Sequence, residues 1–265
     1  SLLVPWFTWS FLYAFVFSVV LPTINHESFS LYWFFVEFIR GHFHLWYMWA
    51  IIGLYLITPI LKKFVKKENK NIVVYFIALS LIFQFTKPIM AFLFEEISFA
   101  SKIESTYTYV FESLSLDFLG GFTTYFLVGW LLSNIELKKL TETVLYIMGA
   151  ASLMCIIVVT QFFPEHYALI YSNSGLFVFF YSVAIFLLAK RMFAKCKGSN
   201  RVVVGLSDLS FGVYLIHVFI HTIVANVLPN KAIFIPVVFL ATLTISVIIS
   251  YVISKIPVAK KTIRA

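Results

Sequence analysis

Hydrophobic residues run in long unbroken stretches along this chain, and polar residues gather in short clusters between them. Eight stretches stand out, at 2–22, 44–61, 71–94, 118–134, 141–163, 173–189, 206–228 and 232–254. Each approaches or exceeds the roughly 17 to 25 residues that a helix needs to cross about 30 Å of hydrocarbon. The strands of a membrane barrel alternate apolar and polar positions over about ten residues. Runs such as "VLYIMGAASLMCIIVV" do not alternate. The pattern predicts an all-α protein, a polytopic membrane helix bundle of about eight transmembrane helices.

Composition sharpens this reading. Hydrophobic residues make up 61% of the chain and charged residues 12%, with a mean hydropathy of +0.95, whereas a soluble domain carries about 25% charged residues. No soluble domain, low-complexity linker or clear repeat interrupts the pattern. The acidic stretch 95–117, "EEISFASKIESTYTYVFESLSLD", is the one long excursion between spans. The whole of 1–265 therefore reads as one transmembrane domain.

The loops carry a second, independent signal. One alternate set holds Lys62, Lys63, Lys66, Lys67 and Lys70, then Lys138 and Lys139, then Lys190, Arg191, Lys195, Lys197 and Arg201, and finally Lys255, Lys260, Lys261 and Arg264. That set contains 16 of the 20 basic residues. The other set holds only Arg40, Lys102 and Lys231, with most of the acids. Basic loops prefer the cytoplasm, so both chain ends are expected there and the acidic loops outside, in a multi-pass protein of the cell membrane. A wrong helix count would scramble this alternation. The formal net charge of +8 follows from the same bias and gives no reason to expect nucleic acid as a partner; anionic lipid or an anionic cofactor suits it better. Two cysteines, Cys155 inside a span and Cys196 in a cytoplasmic loop, cannot meet as a disulfide in this topology. No cysteine spacing of the metal-binding kind occurs.

Topology makes the histidines informative. His26, His42, His44 and His166 fall in or beside outer loops, while His217 and His221 lie in the middle and outer half of the seventh stretch, four residues apart and so on one helix face. His217 and His221 alone are too few for zinc, and no metal is expected. Lys87, just before Pro88 in "FQFTKPIMAF", either snorkels to the outer interface or lines a cavity beside a helix that the proline weakens.

Three motifs carry a resemblance. "HLWYMWAIIGLYLITPIL" begins at His44; "LSDLSFGVYLIHVFI" places Ser210, Tyr214 and His217 in a Ser-Phe-x-x-Tyr-Leu-x-His pattern; and "SLLVPWFTWSFLY" opens the chain. Taken in their order along the chain and over essentially its whole length, they resemble the membrane-bound acyltransferases of family 3. The resemblance implies two further spans upstream of Ser1, which would hold the family's reactive histidine and its basic partner. The segment in hand is then expected to be incomplete at its start.

The implied function is transfer of an acyl group, most often acetyl, from cytoplasmic acyl-CoA to a hydroxyl of an extracytoplasmic or lipid-linked glycan. Under it, His44 and His217 are the candidate catalytic residues, since a hydroxyl needs a base that titrates near neutrality. Arg40, His42, Trp46, Tyr47, Lys87 and Tyr214 are candidates to bind the substrate, although Trp46, Tyr47 and Trp49 also fit an interfacial aromatic belt. Lys62, Lys63, Lys66 and Lys67 are candidates for the phosphates of acyl-CoA, the donor and only cofactor expected. If one helix holds both His42 and His44, their side chains point about 200° apart, which would put His44 inward and His42 at the rim. Two other classes stay open on the residues alone: a transporter or flippase for a lipid-linked sugar, for which no matched pair of broken helices is visible, and a non-catalytic membrane sensor.

Overall fold

The computed structural model describes residues 2–26, 28–97, 99, 102–114, 121–164, 170–172, 175–194, 201–228 and 232–263. His166, Lys195, Cys196, Lys197, Lys231 and Arg264 lie outside the described residues. Every regular element among those described is helical. The principal helices are α1 (Leu3–Phe15), α2 (Leu31–Arg40), α3 (Trp46–Phe64), α4 (Lys70–Glu96), α5 (Glu104–Ser113), α6 (Phe122–Asn134), α7 (Lys139–Phe162), α8 (Leu176–Ala194), α9 (Arg201–Val227) and α10 (Ile235–Lys255). Helices suit this chain because they satisfy every backbone donor and acceptor internally where no water can reach.

Seven helical stretches among the described residues are long and apolar enough to cross a membrane, in rough agreement with the expected eight. Among the described residues, the remaining stretch, 118–134, supplies the 13 residues of α6. Two elements were not foreseen as helices. The segment expected as a loop between the first two spans contains α2, whose ten residues are about 15 Å long, too short to cross alone; it is continuous with α3 in the single apolar stretch Leu31–Phe64. The acidic excursion contains α5, where Tyr107 and Phe111 pack on Phe94 and Phe83 of α4. Pro88 lies inside α4, which runs on through it to Glu96.

The chain divides into two compact units, Ser1–Gly53 with Lys197–Ala265, and Leu54–Cys196. In the first, the core joins Trp6, Trp9 and Tyr13 of α1 to Leu45 and Met48 around the start of α3 and to Leu215 and Ile216 of α9. Phe11 of α1 meets Phe34 and Phe38 of α2. Trp9 Nε1 donates to the carbonyl of Thr262 at 2.8 Å, which ties the C-terminal segment to α1. The helices α9 and α10 form an antiparallel hairpin. They pack tightly at Gly212, where an added Cβ would come within 2.9 Å of Ser250 Oγ and 3.2 Å of Ile263 Cβ.

In the second unit, Leu61, Val73, Ile77 and Leu127 form one cluster, and Leu132, Phe179, Val183 and Leu187 another. The pair α7 and α8 relies on a small residue, since a Cβ at Gly149 would overlap Ala184. Arg191 forms an ion pair with Glu142, which also accepts from Tyr146 Oη at 3.0 Å. Lys190 Nζ donates to the carbonyls of Leu132 at 2.5 Å and Ile135 at 2.9 Å, closing the C-terminal end of α6 as a side-chain cap.

Candidate functional site

A break between α2 and α3 brings a cluster of polar side chains together in the first unit. Ser30 caps α2, its Oγ accepting from the Trp33 backbone N–H at 3.4 Å. Gly41 ends the helix at φ +76°, a conformation that a side chain would strain. His42 is extended at φ −59° and ψ 153°, and a short 3-10 turn, Phe43–Leu45, leads into α3.

Because His42 stands outside any helix, the expected divergence of His42 and His44 does not occur. Their Nδ1 atoms lie 3.1 Å apart. A nitrogen pair at that distance shares one proton, so one ring donates through Nδ1 while the other accepts. His42 is clamped between Tyr13, stacked at 4.8 Å between centroids, and Phe17 at 4.5 Å. His44 is buried at 6% exposure. Its ring meets Tyr13 edge-on at 4.7 Å and His217 at 5.4 Å. The Nε2 of His44 is buried and makes no hydrogen bond of normal geometry.

The C-terminal motif closes around the same rings. Tyr214 Oη donates to the His44 carbonyl at 2.6 Å, and Tyr47 meets the Tyr214 ring edge-on at 5.6 Å. Tyr13 Oη donates to the Leu215 carbonyl at 2.9 Å. His217 Nδ1 lies 2.6 Å from the carbonyl of Tyr214. A carbonyl can only accept, so Nδ1 carries the proton and Nε2 of a neutral His217 keeps its lone pair. Residues 170 positions apart in sequence thus share one small volume.

Two cavities border the cluster. A polar one of about 350 Å³ is lined by Ser18, Ser28, Ser30, Trp33, Glu37 and His42 among others. An apolar one of about 570 Å³ lies between α9 and α10 and includes both His217 and His221, as their four-residue spacing requires.

The other expected site residues distribute unevenly. Arg40 ends α2 with an exposed side chain, and its carbonyl accepts from Trp49 Nε1 at 3.1 Å. Trp46 and Tyr47 are 43% and 41% exposed, and the polar cavity takes its aromatic walls from Trp33 and Phe17 instead. Lys87 belongs to the second unit, where it lines a cavity of about 150 Å³ with Glu104, Tyr107 and Glu112. Lys62 and Lys63, in the last turn of α3, are exposed, as are Lys66 and Lys67 just beyond it. Sequence reasoning missed Tyr13, Trp33 and Glu37. A short amphipathic helix behind a Ser cap, "SLYWFFVEFIR", was the available signal for the last two.

No curated protein and no solved structure matches the chain. A family profile described as an acyltransferase domain matches residues 1–255, the stretch that holds all three motifs and both histidine-bearing segments. The chain therefore belongs to acyltransferase family 3 and is a multi-pass membrane acyltransferase.

Proposed function

We propose that the protein transfers an acyl group from cytoplasmic acyl-CoA to a hydroxyl of a glycan on the outer side of the cell membrane, with the His42–His44 pair as the base. The supporting observation is the polar cavity that ends on His42 with His44 directly behind it. Three serine hydroxyls, a carboxylate and an indole face suit the hydroxyls and apolar faces of a sugar, lipid-linked or free.

His42 engages His44 through Nδ1, which leaves Nε2 for the substrate. The acceptor oxygen attacks the thioester carbonyl; the new C–O bond forms as the C–S bond breaks. His42 takes the hydroxyl proton on Nε2 and passes its Nδ1 proton to His44. The proton returns to the departing thiolate, so the products are an O-acyl glycan and CoA thiol. His217 meets His44 edge-on at 5.4 Å between ring centroids and packs against the pair from the α9 side.

Exposed Lys62, Lys63, Lys66 and Lys67 attract the polyanionic donor to the cytoplasmic face, in keeping with the loop asymmetry. The test is mass spectrometry of envelope glycans from a strain carrying the gene and from its deletion. An ester that disappears on deletion is expected; identical glycans would defeat the reading.

A further inference from the structure

We infer that the apolar cavity between α9 and α10 holds the acyl chain of the donor, and that the transferred group is a medium-length chain longer than acetyl. This inference rests on the acyl-CoA reading above.

Register within the hairpin decides how the cavity is ordered. Gly212 packs on Ser250, so in antiparallel helices His221 faces the level of Thr242, and Leu228 faces Phe234. All four line the cavity. Its polar groups, His217, His221 and Thr242, therefore form one belt, while Ala225, Leu228, Phe234, Ile235 and Val238 line its far end with hydrocarbon only.

Thr242 is 7% exposed and its Oγ1 has no hydrogen-bond partner. A buried hydroxyl left in this state is costly unless a ligand meets it. A carbonyl oxygen would do so. A ligand with a carbonyl at the belt and a tail toward Leu228 is an acyl group.

The opposite end of the hairpin fits the rest of the donor. Arg201 opens α9, Lys255 closes α10, and Lys260 and Lys261 follow. From Arg201 to His217 the helix rises about 24 Å. A donor whose phosphates stay at this basic end reaches the histidine cluster with its thioester, between the His42 and His217 rings that flank His44, and lays the chain that follows the carbonyl past the belt. An acetyl group would occupy little of 570 Å³, and the seven residues from His221 to Leu228 add about 10 Å of apolar wall beyond the belt.

The test measures binding of radiolabelled acetyl-, butyryl- and hexanoyl-CoA to the membrane-reconstituted protein, alongside Ala225→Phe and Val238→Phe, which fill the tail end from either helix. Burying a methylene raises affinity by about fourfold. Hexanoyl-CoA is thus expected to bind at least tenfold tighter than acetyl-CoA, and each variant to erase that gain while leaving acetyl-CoA binding unchanged. Equal affinity for the three donors would overturn the inference while leaving the acyl-CoA reading intact. A chain-length gain that survives both substitutions would also overturn it, because the gain would then come from the bilayer. Binding of none of the donors would defeat the acyl-CoA reading itself.

Discussion

The two units differ in where their buried polar groups find partners. In the second, Glu142 is held by Arg191 and Tyr146, and Lys190 spans two carbonyls at the end of α6. In the first, Ser10 Oγ, Thr242 Oγ1, Ser246 Oγ and Ser250 Oγ are buried without hydrogen-bond partners. Paired polar groups join helices to one another; unpaired ones beside a cavity are ready for a ligand. Ser80 Oγ, Tyr107 Oη and both side-chain polar atoms of Gln84, one turn before Pro88, are counterexamples in the second unit.

The largest effect should come from the histidine pair. His44→Ala is expected to lower kcat on the order of 10²-fold or more, and His42→Ala to come close to it, because each ring completes the other's hydrogen bond at 3.1 Å. The double variant should then be little worse than His44→Ala, as for residues that act as one unit. Multiplying losses, measured by acyl transfer at matched membrane levels, would show that the two act separately.

Tyr214→Phe removes the donor to the His44 carbonyl but keeps the ring. A fall of about tenfold in kcat is expected, from loss of one positioning hydrogen bond. An unchanged rate would make this contact one of folding only.

A smaller effect is expected from replacing Lys62, Lys63, Lys66 and Lys67 with Gln: a rise of a few fold in KM for acyl-CoA with a flatter salt dependence. If neither changes in correctly inserted protein, these lysines set topology and do not hold the donor.

Arg191→Ala sharpens the comparison from the other side. It should lower the thermal midpoint, measured by a melting curve in detergent, and leave kcat/KM per folded molecule unchanged. A specific loss of turnover would make the Glu142 cluster part of the chemistry.

Much of this molecule was legible in the chain. Length and uninterrupted hydropathy determine spans, because about 30 Å of hydrocarbon admits no other backbone solution, and seven long helices with α6 answer to the stretches read from sequence. His217 and His221 share a cavity because a four-residue step returns to the same helix face. The motifs beginning at His44 and ending at His217 marked the family.

What only the tertiary structure decided is the meeting of those motifs. The convergence of His42 on His44 depends on an extended residue after a positive-φ glycine, and helical periodicity carries no information about a break. The partnership of His44 with Tyr214, 170 positions away, is a matter of helix packing. Hydropathy marks which residues leave water, but the neighbours each one finds there are set by how the helices fit together.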